Sequence, residues 1–466
     1  MSSARATADA LRPTWDERSV GKPKATTRGT FGAKLAQRFG WGLADQAMSS
    51  LSNAMMSFYV ARELGPVKYG AFSIAYVTYS FALNASRGLA TEPLIVRYSN
   101  SKLPEWRLAV SRSTGTAVVA GIAMGCFSIV AGILLRSTVG AGFIALGLVL
   151  PGLMLQDAWR YAFFALGRGS QSFINDAVWT IAMLVAVVFL HMTHAGSVFW
   201  FLLVWGLAAT FAASLGPFQS RVMPNPAGSR DWFNQHRDLG VRFMAENTAS
   251  AGATQLRAYF IGGIAGLATL GYVQAASLLM GPFFVVYMGI SIVTVPEAAR
   301  ILQSSPRHLR RYCLLVGGGL AGACALWGIF LLITIPRGLG NLLLGRELWP
   351  PAAALIIPYT ITVMGSCVTD GAQAGLHALG AARRSMRSMI LASALYLGLG
   401  VAGAYFDGAL GTVCGAAVAT WVGAVLWWKQ LQTALRESRH ETAAPAVQPA
   451  RSGQTQLVVR PGSSEA

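Results

Sequence analysis

Charge is scarce in this chain. Of 466 residues, 12% are charged and 54% are hydrophobic, and the mean hydropathy is +0.48. A soluble globule of this length needs more charge to cover its surface, and the apolar residues come in runs, so the solvent they imply is a bilayer. Acidic residues are scarcer still, 19 against 37 Lys and Arg, for a formal net charge of +18. The five cysteines (Cys126, Cys313, Cys324, Cys367, Cys414) lie in apolar stretches with no CxxC pair and no histidine nearby. That spacing gives no sign of a disulfide framework or a zinc site and reads as small core residues. No secretory leader opens the sequence, so an N-terminus that stays in the cytosol is expected.

What is abundant is apolar sequence of bilayer length. About 20 apolar residues cross the hydrocarbon core, and windows of that size give twelve candidate spans: 40–62, 70–90, 112–135, 140–162, 172–192, 197–217, 239–262, 271–295, 312–335, 350–373, 386–406 and 409–429. The polar ends, 1–33 and 437–466, are rich in Ser, Thr, Pro and Ala and are expected to be disordered cytoplasmic tails. The expected organisation is an N-terminal six-helix lobe over 34–217, a cytoplasmic linker over 218–238 and a C-terminal six-helix lobe over 239–436.

Cytoplasmic loops of membrane proteins carry the basic excess. With the N-terminus inside, 29 Lys and Arg fall on the inner segments, five (Arg62, Lys68, Arg136, Arg337, Arg346) on the outer ones, and three (Arg87, Arg242, Arg257) within spans. Both termini are therefore expected in the cytoplasm. The positive charge is spread over seven segments without a single-face patch, which removes the case for nucleic acid as a partner.

The chain also repeats itself. At an offset of 201, LADQAMSS (43–50) falls on MAENTASA (244–251), so that Asp45 lands on Glu246, Gly65 on Gly266 and Gly70 on Gly271. With a further 12-residue insertion, QDAWRYAFFALG (156–167) falls on TDGAQAGLHALG (369–380), placing Asp157 on Asp370. A repeat of six spans, an even number, gives two lobes facing the membrane the same way about an axis along its normal, with a cavity between them. The expected fold is all-α, twelve transmembrane helices in two lobes, and residues repeated at the seam are expected to face each other.

Three stretches carry a resemblance: ARELGPVKYGAFSIA (61–75) after a first span with a polar start, a fourth span ending ALGR, and LLLGRELWPPAAALIIP (342–358) before the tenth. In this order and spacing, over about residues 35–429, the sequence resembles the polysaccharide-transport (Wzx-type) flippase branch of the multidrug/oligosaccharidyl-lipid/polysaccharide exporter superfamily. The resemblance implies alternating-access transfer of a polyprenyl-diphosphate-linked glycan, a cell-surface polysaccharide precursor, across the cytoplasmic membrane. It also implies polysaccharide-assembly proteins and membrane lipids as partners, and no cofactor.

Ionisable residues inside spans are costly enough to be read as functional. Asp45 begins a polar stripe with Ser49, Ser52 and Asn53 that suits a cavity wall, although a carboxylate in a first helical turn also complements the helix dipole. Tyr76, Ser80, Asn84 and Arg87 share one side of span 2, and Arg87 lies at the depth of Asp45, so a salt bridge between them is expected; snorkelling of Arg87 to headgroups is the alternative. On span 7, Arg242 and Glu246 are four residues apart and Glu246 and Arg257 eleven apart, one face of a helix. A guanidinium there holds a diphosphate bidentately. The expected substrate-binding set is therefore Arg87, Arg242, Arg257, Asp45, Glu246 and Asn84. Asp157 and Asp370 are expected in gating or ion coupling, with a local Asp157–Arg160 packing pair as the plainer reading. His377 has no ligand set around it, so no metal is expected. Trp200, Trp205, Trp349, Trp427 and Trp428 fit interfacial belts.

Two other functions share this pattern. A drug or cation antiporter has the same twelve-helix plan, but three arginines within spans favour an anionic substrate. A membrane-bound glycan polymerase or glycosyltransferase would carry its acids and bases on a sizeable outer loop, whereas the longest outer connection, 337–349, has one acid, Glu347. A non-enzymatic transporter is expected.

Overall fold

The computed structural model describes residues 28–99, 101–334 and 337–443. The expected tails at 1–27 and 444–466 lie outside these, whereas 28–33 and 437–443, also assigned to tails, are helical. The described chain is all-helical: α1 (Arg28–Ser86), α2 (Glu92–Tyr98), α3 (Leu103–Leu135), α4 (Thr138–Ala165), α5 (Gly169–Met192), α6 (Val198–Ser214), α7 (Gly216–Ser220), α8 (Ser229–Ile264), α9 (Leu267–Leu279), α10 (Gly281–Ser304), α11 (Leu309–Thr334), α12 (Arg337–Ala378) and α13 (Ala382–Ala443). It is a multi-pass membrane protein. Eight helical stretches are long and apolar enough to cross a bilayer, and the longest helices are broken inside. In α1 the break is Gly65 (φ 72°, ψ 176°), which separates two crossings. In α13 it is Asp407–Gly408, again between two crossings. In α12, Gly345 separates a short helix from one crossing. With α8 and the kinked α9–α10 pair, the chain makes twelve crossings in two six-helix lobes.

The sequence repeat is a structural repeat. Gly65 and Gly266, aligned at offset 201, both adopt positive φ, 72° and 90°, where a side chain is strained. Gly167 and Gly380, the ends of the two Ala-Leu-Gly stretches, do the same at 72° and 66°. Each closes its helix in the same way: the amide of Arg168 bonds the Phe163 carbonyl and that of Ala381 bonds the Leu376 carbonyl, the capping pattern of a left-handed C-terminal glycine.

The repeat axis passes through a contact between the lobes. A Cβ on Gly70 would lie 1.9 Å from the Leu267 carbonyl oxygen, and one on Gly271 would lie 2.3 Å from that of Pro66. Residue 267 is the repeat partner of 66, so the two contacts are one contact made twice. They join the lobes at the face opposite the described chain ends, the far face, where Arg62 also donates to the Leu342 carbonyl at 3.2 Å. Toward the terminal face the first helix and α10 part around a cleft of about 660 Å³ lined by Leu43, Gln46, Met288 and Val293. Gly70→Ala or Gly271→Ala is expected to open the far-face closure, since the Gly70 Cβ must move at least 1.5 Å to pass from 1.9 Å to the 3.4 Å of ordinary contact. Spin labels at Lys68 and Ile264 should then report longer separations; unchanged distances would show that the closure does not depend on these glycines.

The linking segment is bound to the first lobe. Trp232, in the first turn of α8, donates from Nε1 to the Leu89 carbonyl at 3.2 Å and stacks on His236, with ring centroids 3.9 Å apart. Arg97 pairs with Asp238 at 2.7 Å. Burial lowers the His236 pKa below its ordinary value. The tryptophan belts are corrected for three positions: Trp205, Trp349 and Trp427 are buried core side chains, while Trp200 is exposed.

Candidate functional site

Two polar centres occupy the bundle. The first lies within the N-terminal lobe. Asp45 on α1 is fully buried; its carboxylate accepts from Arg160 Nη2 on α4 at 2.6 Å and from the Ser172 hydroxyl on α5 at 2.9 Å. Arg160 also stands 3.4 Å from Asp176 and 3.9 Å from Asp157. Asp157 is gripped bidentately by Arg87, at 2.9 and 2.7 Å. Arg87 is the first residue of a single π-helical turn, Arg87–Thr91, a local rewinding of the helix often found at functional positions. Two guanidinium groups thus serve three carboxylates, with one formal negative charge in excess. Asp176 carries the surplus: Gln156 donates to its Oδ1 at 2.6 Å, and its buried Oδ2 has no hydrogen-bond partner.

The second centre is a cavity between the lobes. Tyr76, Ser80 and Asn84 of the second crossing face Arg257 of α8, Gln274 of α9 and Tyr396 of α13 around about 480 Å³. Arg257 is 6% exposed. Among the described residues no carboxylate pairs with it, and its Nε finds no hydrogen-bond partner. Its guanidinium lies over the Tyr396 ring, 4.3 Å from the centroid, and a Cβ on Gly400 would come within 2.8 Å of its Cδ. Glycine there leaves room for the side chain. Tyr359, Tyr396, Thr254 and Ser277 are shared with a second chamber of about 560 Å³ on the C-terminal-lobe side. That chamber contains Asp370, which accepts a hydrogen bond from the Tyr287 hydroxyl. Gln255 is shared with an apolar groove of about 630 Å³ between the lobes, walled by Phe81, Phe127, Leu256 and Leu397. The buried Gln255 Oε1 is also without a partner.

No family model and no curated protein matches the chain. Solved structures do. The chain superposes on an inward-facing multidrug resistance MATE-family transporter of the MOP superfamily with a TM-score of 0.66, at 12% identity over 84% of this chain and 96% of that one. The lipid II flippase MurJ, in an inward closed conformation, gives 0.64 at 10% identity, over 86% and 91%. An outward-facing MATE-family transporter of the MOP superfamily gives 0.54 at 12% identity, over 85% and 94%. The fold is that of the MOP-superfamily transporters.

Several sequence expectations are corrected. Asp45 does not pair with Arg87: each binds a partner on α4, and Asp45 lies inside one lobe rather than across the seam from Glu246. The polar stripe is turned into the protein. Ser49 and Ser52 are buried, and Ser52 and Asn53 both bond the Ser49 carbonyl, at 3.0 and 2.9 Å. Arg242 and Glu246 are exposed, and among the described residues neither forms an ion pair. The Asp157–Arg160 pair is present but long, and Arg87 is the closer partner of Asp157. Arg257 and Asn84 line the cavity between the lobes, and Asp370 lines the chamber that adjoins it. His377 bonds the Ser385 hydroxyl at 3.0 Å. Sequence reasoning missed Asp176, although a carboxylate within an apolar span was signal enough. It also missed Tyr396, Tyr359 and Gln255, which carry no such signal.

Proposed function

We propose that the chain is a flippase for a polyprenyl-diphosphate-linked oligosaccharide, moving it between leaflets without making or breaking covalent bonds. The observation that carries this is Arg257, a cation buried between the lobes with no anionic partner among the described residues. A buried charge without a counter-ion is expensive, and its retention points to an anion that arrives with the substrate. The neighbouring groove supports a lipid-linked anion over a small soluble one: it is apolar, and Gln255 joins it to the Arg257 cavity, so a prenyl tail can lie in the groove while its diphosphate reaches the guanidinium fork. Arg87 and Asp45, each held by a partner in the N-terminal lobe, stiffen that lobe; Asp157 does the same. Asn84 stands beside Arg257 as a neutral hydrogen-bond donor for the phosphates.

The test is proteoliposomes carrying a fluorescent prenyl-diphosphate oligosaccharide, probed with a membrane-impermeant quencher. Protein-dependent equilibration between leaflets supports the proposal. No movement, with uptake of a lipophilic cation instead, would replace it with the antiporter reading.

By the charge bias, the terminal face belongs in the cytosol of a cytoplasmic membrane. Single cysteines in the His194–Ser197 turn should then react with an impermeant maleimide in intact cells, and a cysteine at Arg307 should not. The opposite pattern would invert the orientation.

A further inference from the structure

The chamber around Asp370 differs in chemistry from the Arg257 cavity it adjoins. None of the described residues lining it is Lys, Arg or His, and Asp370 is the one ionisable carboxylate in its wall. Of the ten side-chain hydroxyls in its wall, five are committed as donors, Thr362 to the Pro358 carbonyl at 2.9 Å among them. Ser366 donates to the Thr362 carbonyl at 3.3 Å, Thr369 to that of Gly365 at 3.0 Å and Thr420 to that of Ala417 at 3.0 Å. The Tyr287 hydroxyl donates to Asp370. A hydroxyl has one hydrogen and two lone pairs, so each of these groups has spent its hydrogen on the protein and offers the chamber acceptor capacity. With Asp370 these groups make one part of the wall rich in acceptors, and Gln373 adds an amide donor to it. The rings of Tyr359 and Tyr396 stand where this chamber meets the Arg257 cavity.

We propose that this chamber is the subsite for the sugar next to the diphosphate, and that it selects an uncharged sugar and rejects a uronate. The inference rests on the flippase reading, which puts the diphosphate at Arg257 and hence the first sugar in the adjoining chamber. A neutral hexose presents several hydroxyl donors to the acceptors and an apolar ring face to the tyrosines. A hexuronate brings a carboxylate, acceptor-only and negative, against Asp370 and the acceptors beside it, with no Lys, Arg or His among the described lining residues to pair with it. Burying an acceptor against acceptors forfeits its hydration without replacement.

The experiment measures equilibrium binding to the purified full chain in nanodiscs of three probes: a short-chain prenyl diphosphate alone, the same diphosphate joined to a neutral hexose, and the same joined to a hexuronic acid. The hexose probe should bind more tightly than the bare diphosphate, and the hexuronate probe more weakly than the hexose probe by about tenfold or more. In D370N the gap between hexose and hexuronate should narrow. Equal affinity for all three probes in the wild type overturns the subsite while leaving diphosphate recognition intact, as does a preference for the hexuronate. Failure of all three to bind overturns the flippase reading, and the subsite with it. The wild-type comparison decides without any variant having to fold.

Discussion

Arg160→Ala is expected to be the most destabilising single substitution of a charged residue in the bundle, costing about 3 to 5 kcal/mol, the range found when one partner of a buried ion pair is removed. The arginine is 12% exposed and lies within 4 Å of Asp45, Asp157 and Asp176, which are 0%, 6% and 1% exposed. Without it, α1, α4 and α5 would be held around uncompensated buried carboxylates, since Arg87 reaches only Asp157. Lysine should recover part of the loss, because it restores the charge but not the fork that spans several carboxylates. Adding Asp176→Asn to Arg160→Ala should also recover part, by removing the surplus negative charge. Thermal unfolding midpoints of the purified variants in detergent check this. A midpoint within a degree or two of wild type for Arg160→Ala would show that the network contributes nothing to holding the lobe together.

Arg257→Ala should leave folding largely unchanged and reduce translocation by about 100-fold, as expected when one member of a desolvated charge pair is truncated. Among the described residues this arginine has no salt bridge to lose, so its removal relieves a buried charge rather than stranding one. Stability and transport should therefore separate, the reverse of the Arg160 case. Arg257→Lys should retain part of the transport, keeping the charge but losing bidentate geometry. Gly400→Val, which touches no substrate in this account, should impair transport by crowding the Arg257 side chain off the Tyr396 ring. Transport at the wild-type rate by Arg257→Ala, expressed at the wild-type level, would remove the arginine from the mechanism.

The twelve crossings and the two lobes were legible because hydropathy and chain reversal are local properties, and because the repeat left matched glycines at matched turns. Gly65 with Gly266 and Gly167 with Gly380 are visible as an alignment before they are visible as backbone angles. The partners of the charged residues were not legible in the same way. Position along a span gives depth, and depth put Asp45 level with Arg87. Pairing also depends on the direction each helix faces, which tertiary packing sets: α4 lies between them and takes both, Asp45 through Arg160 and Arg87 through Asp157. Span 7 failed for a related reason. Glu246 and Arg257 share a face of an ideal helix, but α8 changes neighbours along its length, packing on the π turn at Gly88 near Met244 and on α13 at Gly400 near Arg257. One helical face thus passes from exposure to the central cavity. Arg257 itself was found from sequence because an arginine that deep in a span is rare enough to stand out.

The central claim is that the cavity between the lobes recognises a diphosphate through Arg257. It is tested most directly by the affinity of purified protein for a prenyl diphosphate, the corresponding monophosphate and the corresponding alcohol, in wild type and in Arg257→Ala. The wild type should bind the diphosphate most tightly and the alcohol least, and the three affinities should converge in the variant. An alcohol that binds the wild type as tightly as the diphosphate, or a diphosphate preference that survives Arg257→Ala, would contradict the account.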